Sequence, residues 1–257
     1  MKLDYFNLEG KVALVSGGAT GIGFGMSEAL AEAGATVAIC SRRLEVCQKA
    51  ADDISQTAGA RLFPFRCDIS NAQDVENVVR ETTSKLGKID ILVNCAGIGG
   101  SEKPIVKMEE PDWDSVINVN LKGAYSLARE VAKGMIERKE GGRVINVASI
   151  GGLAGIPNMS AYCVSKAGLI QLTKVMALEW VRHNILVNAL LPGYIETPMN
   201  TEFFASDAGQ KVIKANVPMR RLGQVSEIKG LTILMASPAS SFMTGASLVV
   251  DGGYTVG

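Results

Sequence analysis

Ser16-Gly17-Gly18-Ala19-Thr20-Gly21-Ile22-Gly23 follows directly on the short apolar run Val12 to Val15 and leads into Met26, Ala29, Leu30 and Ala33, which recur at helical spacing. A strand, a glycine-rich turn and a helix in that order bring backbone N–H groups and a helix N-terminus up to a pyrophosphate. Gly17, Thr20, Gly21, Ile22 and Gly23 are the contacts so implied. The spacing is not G-x-G-x-x-G, and no Lys-Ser/Thr follows to make a P-loop. Taken alone, the segment also fits a glycine-rich turn that binds nothing.

Outward from this turn the same unit repeats. Short runs rich in β-branched residues, Val12 to Ser16, Thr36 to Cys40, Arg61 to Arg66, Ile89 to Asn94, Gly142 to Val147, Ile185 to Leu191 and Ser247 to Val250, alternate with helix-length stretches. Seven strands in such alternation call for an α/β fold, a parallel sheet covered by helices on both faces. Gly34 is placed to end the first helix, Ser70 to cap a helix opening at Asn71, and Gly87 to close it. No linker, low-complexity tract or fixed-period repeat divides the 257 residues, so 1–257 reads as one domain. Residues 194–219 stand apart: they follow a strand, carry Pro198 and Pro218, and set Met199, Phe203 and Phe204 among polar residues as a lid over a site.

Composition removes several classes of function. The 26 basic and 26 acidic residues cancel, which leaves no electrostatic footprint for nucleic acid or an anionic membrane. Met1 to Lys11 has no apolar signal-peptide core, and no apolar run reaches the ~18 residues of a spanning helix, so a cytoplasmic location is expected. Cys40, Cys47, Cys67, Cys95 and Cys163 form no C-x-x-C pair and read as reduced, buried thiols, with no metal site expected. His183, the one histidine, has no visible partners for general-base work.

At the end of the second strand, about 20 residues beyond the glycines, a ribose-binding acid is the usual feature of a dinucleotide site. This chain has Cys40-Ser41-Arg42-Arg43 instead. A guanidinium fork matches a 2′-phosphate where a carboxylate would take the ribose hydroxyls, so Ser41, Arg42 and Arg43 favour NADP(H). NAD(H) stays open, because two arginines opening a surface helix also read as a solvated face.

Tyr162 and Lys166 are four apart in Ala161 to Arg182, a segment of helical pattern, and so share one face. A cation held there favours the phenolate and brings a phenol of pKa ~10 nearer to neutral proton transfer. Y-x-x-x-K alone recurs by chance on many surface helices. Here it stands with Gly17, Gly21 and Gly23, with Asn94-Cys95-Ala96-Gly97, with Asn120 in N-V-N-L-K-G, with Ser149 in V-A-S-I-G-G, and with Pro192-Gly193 in N-A-L-L-P-G-Y-I-E-T-P. In that order and spacing the chain resembles the short-chain dehydrogenase/reductase family over nearly its whole length, 3-oxoacyl reductase-like and gluconate 5-dehydrogenase-like members among it. One position departs from the motifs, Cys95 where the family usually has asparagine.

The resemblance implies a Rossmann-like, doubly wound sheet and an NAD(P)-dependent oxidoreductase that interconverts a ketone and a secondary alcohol. It implies that Tyr162 gives the proton, Ser149 hydrogen-bonds the same oxygen, Lys166 lowers the tyrosine pKa and binds the nicotinamide ribose, and Asn120 holds a water. It further places Asp68 and Ile69 along the adenine, Asn94, Ala96 and Gly97 along the ribose and diphosphate path, and Pro192, Gly193, Ile195 and Thr197 at the nicotinamide. Each residue also has an ordinary reading: Ser149 as a turn cap, Asn120 as a buried amide bonded to backbone, Lys166 as a solvated cation.

Ile98, Leu153, Ile156, Met159, Tyr194, Met199, Phe203 and Phe204 are the expected walls of a mostly apolar substrate pocket. Lys211, Lys214, Arg220 and Arg221 flank the lid, suited either to an acyl-carrier or coenzyme A phosphate or to plain solvation. The partner is then a small carbonyl or alcohol: a 3-oxoacyl thioester, a simple ketone, or a sugar acid or polyol. A non-catalytic NADP(H)-binding sensor has no use for the Asn120, Ser149, Tyr162, Lys166 set, and a serine hydrolase lacks its G-x-S-x-G. The helix carrying Tyr162 is apolar on more than one face, Ala167, Leu169, Ile170, Leu172, Val175, Met176 and Leu178, as an interface requires. With the family's habit of also using the C-terminal strand and tail, Ser247 to Gly257, a homotetramer is expected.

Overall fold

The computed structural model describes residues 4–198 and 200–256. Its strands are β1 (Val12–Ser16), β2 (Thr36–Ser41), β3 (Leu62–Arg66), β4 (Ile91–Asn94), β5 (Gly142–Val147), β6 (Ile185–Pro192) and β7 (Ser247–Val250). Its helices are α1 (Gly21–Glu32), α2 (Leu44–Ala58), α3 (Ala72–Leu86), α4 (Glu110–Ile117), α5 (Ala124–Arg138), α6 (Ser160–Trp180), α7 (Thr201–Ala205), α8 (Asp207–Asn216) and α9 (Ser226–Ala236). The strands form one parallel sheet in the order β3-β2-β1-β4-β5-β6-β7. No described helix is long and apolar enough to cross a membrane.

Alternate residues of each central strand serve opposite cores. Ala13, Val15, Ile91, Val93, Ile145 and Val147 pack with α1, α2 and α9 through Met26, Leu30, Ile54 and Met235. Leu14, Leu92, Val144 and Val187, one residue out of phase, meet α3, α5 and α6 through Val78, Leu127, Met135 and Met176. With both faces covered, β1, β4 and β6 are buried throughout, which is why they read as nearly continuous apolar runs.

Strand order reverses between β1 and β4, and the chain leaves those strands in opposite directions around the sheet. A crevice therefore opens beyond their C-terminal ends. Ser16, Ser41, Asn94, Val147 and Pro192 all end strands at this edge.

Two local expectations change. Ser70 does not cap α3: Asn71 does, its Oδ1 accepting from the N–H groups of Gln73 and Asp74 at 2.9 and 3.1 Å, while Ser70 Oγ donates to Asp68 at 2.6 Å. In residues 194–219, the segment expected as a lid, Phe203 stays half exposed, but Phe204 is buried with Ile213 and Val217 and set edge-on to Tyr194 at 5.3 Å, so it is a core residue of this segment and not an exposed one. Met199 lies outside the described residues.

Candidate active site

The glycine turn is built for close approach. Gly17 has φ +69°, and a Cβ on it would lie 2.8 Å from the Ala96 backbone; a Cβ on Gly23 would lie 2.1 Å from the Gly17 carbonyl oxygen. Only glycines fit both positions. Thr20, the residue before α1, makes no side-chain cap bond, which leaves the first-turn amides of Gly21, Ile22 and Gly23 available to an anion. Thr197, arriving from beyond β6, faces Gly21, whose Cβ position is 3.2 Å from the threonine methyl. A pyrophosphate fits this donor set and its unfilled space.

Ser41, Arg42 and Arg43 leave β2 at the same edge. Ser41 Oγ is engaged with the Arg43 carbonyl at 3.1 Å and with Cys47 Sγ at 3.0 Å. Both arginines are exposed and neither meets a carboxylate within 4.0 Å among the described residues. Arg42 does sit near Asp68. Partial burial raises that carboxyl, but hydrogen bonds from Ser70 and the charges of Arg42 and Arg66 outweigh it and hold Asp68 below its usual range. Ile69 is buried against Gly123.

The candidate chemical residues come together from the end of β5, from α6 and from the turn between α4 and α5, with the loop after β4 beside them. Ser149, just beyond β5, is buried, and its Oγ accepts from the Gly151 N–H at 3.0 Å. A Cβ on Gly151 would lie 3.2 Å from the Tyr162 ring, 3.3 Å from Ile156 and 3.5 Å from Ser149 Oγ, so these groups share one small space. Lys166 Nζ donates to the Val147 carbonyl at 2.8 Å and stands 5.7 Å from the Tyr162 ring centre. A Cβ on Gly97 would meet Asn120 Oδ1 at 3.2 Å and Lys166 Nζ at 3.5 Å.

Asn120 lies in a π-helical turn, Asn118–Gly123, between α4 and α5. Its amide accepts from the Ile98 N–H at 2.8 Å and donates to the Ile98 carbonyl at 2.9 Å and to Ser165 Oγ at 3.1 Å. Ser165 Oγ donates onward to the Tyr162 carbonyl at 2.7 Å. The ordinary reading of Asn120, a buried amide bonded to backbone, thus describes its side chain, and π turns of this kind concentrate at functional sites.

Burial dominates the electrostatics. It pushes Lys166 from an ordinary 10.5 down to about 8. It also pushes the Tyr162 phenol above its usual range, with the Ser149 hydroxyl working the other way without cancelling it. The neighbouring thiol of Cys95 is raised to about 11 by burial and stays neutral, so it offers Lys166 no counter-charge. The tyrosine pKa lowering expected from Lys166 is therefore not a property of the protein alone.

A buried polar chain escaped the sequence reading. Asn94 Nδ2 donates to the Ala124 carbonyl at 3.1 Å and to Asn146 Oδ1 at 2.9 Å; Asn146 Nδ2 donates to Thr173 Oγ1 at 2.9 Å, which donates to the Leu169 carbonyl at 2.8 Å. It ties the end of the π turn, through β4 and β5, to the helix carrying Tyr162. The available signal was a lone asparagine, Asn146, inside the apolar run Val144 to Val147. The Asn94 Nδ2 is spent inside the protein, while its Oδ1 is buried without a partner among the described residues.

Comparison with known proteins agrees with this arrangement. The family described as enoyl-(acyl carrier protein) reductase matches residues 17–255. The 3-oxoacyl-[acyl-carrier-protein] reductase FabG of Thermotoga maritima is 38% identical over 97% of this chain and 99% of its own. A short-chain type dehydrogenase/reductase from Mycobacterium marinum superposes with a TM-score of 0.94 at 38% identity, over 99% of both chains. A gluconate 5-dehydrogenase from Burkholderia cenocepacia, solved in complex with NADP and tartrate, also gives 0.94, at 36% identity over the full length of both.

Proposed function

The chain belongs to the short-chain dehydrogenase/reductase family, and from that premise we propose that it reduces a ketone to a secondary alcohol with NADPH, Tyr162 giving the proton. One observation carries this reading: Ser149 with Tyr162 and Lys166 with Gly97 gather at the C-terminal edge of the sheet, and Ala96, the residue before Gly97, packs against the glycine turn at Gly17. NADPH, when bound, supplies the hydride. The first-turn amides of α1 would hold its diphosphate, and Arg42 with Arg43 its 2′-phosphate.

During reduction, negative charge grows on the substrate oxygen. Ser149 hydrogen-bonds that oxygen while Tyr162 protonates it. A phenol raised by burial is protonated near neutral pH, which suits donation and so the reductive direction. Lys166, when protonated, stabilises the phenolate left behind. Tyr162→Phe should bind NADPH normally and lose at least ~100-fold in turnover, the scale of general acid catalysis; a variant that keeps most of its rate ends the assignment.

The substrate is a 3-oxoacyl thioester or a small ketone, in line with the 3-oxoacyl reductase relative. Sugar-acid chemistry is the second reading, supported by the likeness to a gluconate 5-dehydrogenase at full length. We further propose a cytoplasmic homotetramer. Val164, Val175, Leu178 and Val181 on or beside α6, and Tyr125 on α5, are apolar and exposed, Leu178 to 80%, while β7 is an unpaired sheet edge with Val249 and the neighbouring Phe242 in solvent. Two separate apolar surfaces call for two interfaces, as dihedral symmetry provides.

A further inference from the structure

An open cleft of about 840 Å³ lies between the loop after Ser149 and the C-terminal loop. Leu153 and Ala154, which directly follow the turn capped by Ser149, form one wall; Val217, Pro218 and Tyr254 form the apolar part of the other. The C-terminal loop is also the backing of the nicotinamide end, since a Cβ on Gly193 would lie 2.7 Å from Asp251. Asp251 in turn fixes this loop by accepting from the Gly253 and Thr255 N–H groups at 2.8 Å. Tyr254 sets its ring edge-on to Tyr194 at 5.6 Å. The cleft thus borders the loop that follows Ser149 and the segment that follows α8.

Lys214 and Arg220 also line it, and among the described residues no acidic side chain does. Among the described residues neither cation forms a salt bridge, whereas the adjacent Arg221 is clamped by Glu227 at 2.7 and 2.8 Å. The amide of Asn216, also in the lining, is spent on the Val212 carbonyl. Arg220 has φ +56°. Lys139 and Asn184 share that conformation as helix ends, and asparagine tolerates it readily, which covers Asn158 too. Arg220 alone among the described residues is a long side chain held there away from a helix end. Its N–H donates to the Val217 carbonyl at 2.8 Å, and the Met219 N–H donates to the Gly252 carbonyl at 3.1 Å. These two bonds hold residue 220 in that conformation and so fix where its side chain leaves the backbone.

We propose that this cleft is the far arm of the substrate site, where Lys214 and Arg220 bind the anionic end, carboxylate or phosphate, of an amphipathic substrate whose carbonyl lies at Tyr162. The identity of the reacting group rests on the reductase reading above; the charge preference of the cleft does not. Apolar walls take the chain of the substrate, and two unpaired cations take its charged oxygens through charge-assisted hydrogen bonds.

The test is calorimetric titration of the full chain, with saturating NADP+ so that no turnover occurs, using 7-oxooctanoate, its neutral primary amide and 7-oxooctyl phosphate. Both anions should bind at least ~10-fold tighter than the amide, and Lys214→Gln with Arg220→Gly should bring that ratio below about 2. Glycine keeps the left-handed backbone of residue 220 while removing the guanidinium, so loss of charge is separated from misfolding. Phosphate bound tighter than carboxylate assigns a dianion to the paired cations; equal binding assigns a carboxylate. An anion-to-amide ratio near unity in the wild type, or one unchanged in the double variant, overturns the proposal. Reduction of the same three ketones with NADPH is read separately: anion preference without any reduction strikes the reductase reading and leaves the subsite, and reduction without anion preference strikes the subsite alone.

Discussion

Lys166→Met should make the protein more stable and nearly inactive. The ammonium is buried, and its fall from 10.5 to about 8 is driven by desolvation. At 1.36 kcal/mol per pKa unit, holding the charged form in the fold costs roughly 3 kcal/mol at neutral pH. Methionine of similar length removes that cost and gives up the hydrogen bond to the Val147 carbonyl, worth about 1 kcal/mol. The net gain is about 2 kcal/mol, or a melting temperature higher by ~4–8 °C in a chain of this size. The pH dependence identifies the cause. Between about 8 and 10.5 the unfolded chain binds the lysine proton and the folded one does not, so wild-type stability rises with pH across that window. The advantage of the variant is therefore full below pH 8 and fades toward pH 10.5. Scanning calorimetry at several pH values, at one protein concentration and without cofactor, measures this directly. Equal melting temperatures at pH 7, or a difference that persists undiminished into the alkaline range, would refute the account of Lys166 as a charge buried at a cost to stability.

Replacing Arg42 and Arg43 together by alanine should lower kcat/KM for NADPH by at least ~10-fold, the scale of a charge-assisted contact to phosphate, while NADH changes little; steady-state kinetics with both cofactors decides it, and an intact NADPH preference removes the assignment. Thr173→Val leaves the Asn146 amide without its acceptor and should destabilise by about 1–3 kcal/mol, read as a lower urea midpoint at unchanged slope. Leu178→Glu places a carboxylate on the most exposed apolar residue of α6 and should halve or quarter the particle mass in light scattering; a wild type that is already monomeric at micromolar concentration contradicts the assembly.

Strand positions were legible because the inner strands are covered on both faces and admit little besides apolar residues. Each predicted run overlaps an observed strand, and the ends differ by at most two residues, as at Ile89 against Ile91. The meeting of Ser149 and Tyr162 was legible only through family order, since nothing local ties V-A-S to a helix eleven residues on. The π turn was not legible. N-V-N-L-K-G continues the apolar rhythm of its flanking helices, and the extra residue per turn is decided by what the Asn120 amide reaches across the fold. Phe204 misled for a related reason: its polar neighbours in sequence are not its neighbours in space, which are Ile213, Val217 and Tyr194. The placement of Arg220 depends on a turn pinned by Gly252, a contact across more than thirty residues of chain.

That π turn has a mechanical consequence for the site. The turn sets the Asn120 side chain so that its amide holds both backbone groups of Ile98, the residue after Gly97, and also Ser165, whose Oγ donates to the Tyr162 carbonyl. In the proposed reaction the Gly97 loop borders the cofactor and Tyr162 carries the proton, and the Asn120 amide links the two. From the other side, the chain Asn94–Asn146–Thr173 fixes the same turn to the same helix through the sheet. The Gly97 loop is thereby joined to Tyr162 by one short hydrogen-bonded route, and the sheet ties the start of α5 to α6 by a second. Since proton and hydride must reach atoms bonded to one another, rigidity between their two carriers is what the chemistry demands, and it places the functional weight of Asn120 on geometry at least as much as on any water it holds.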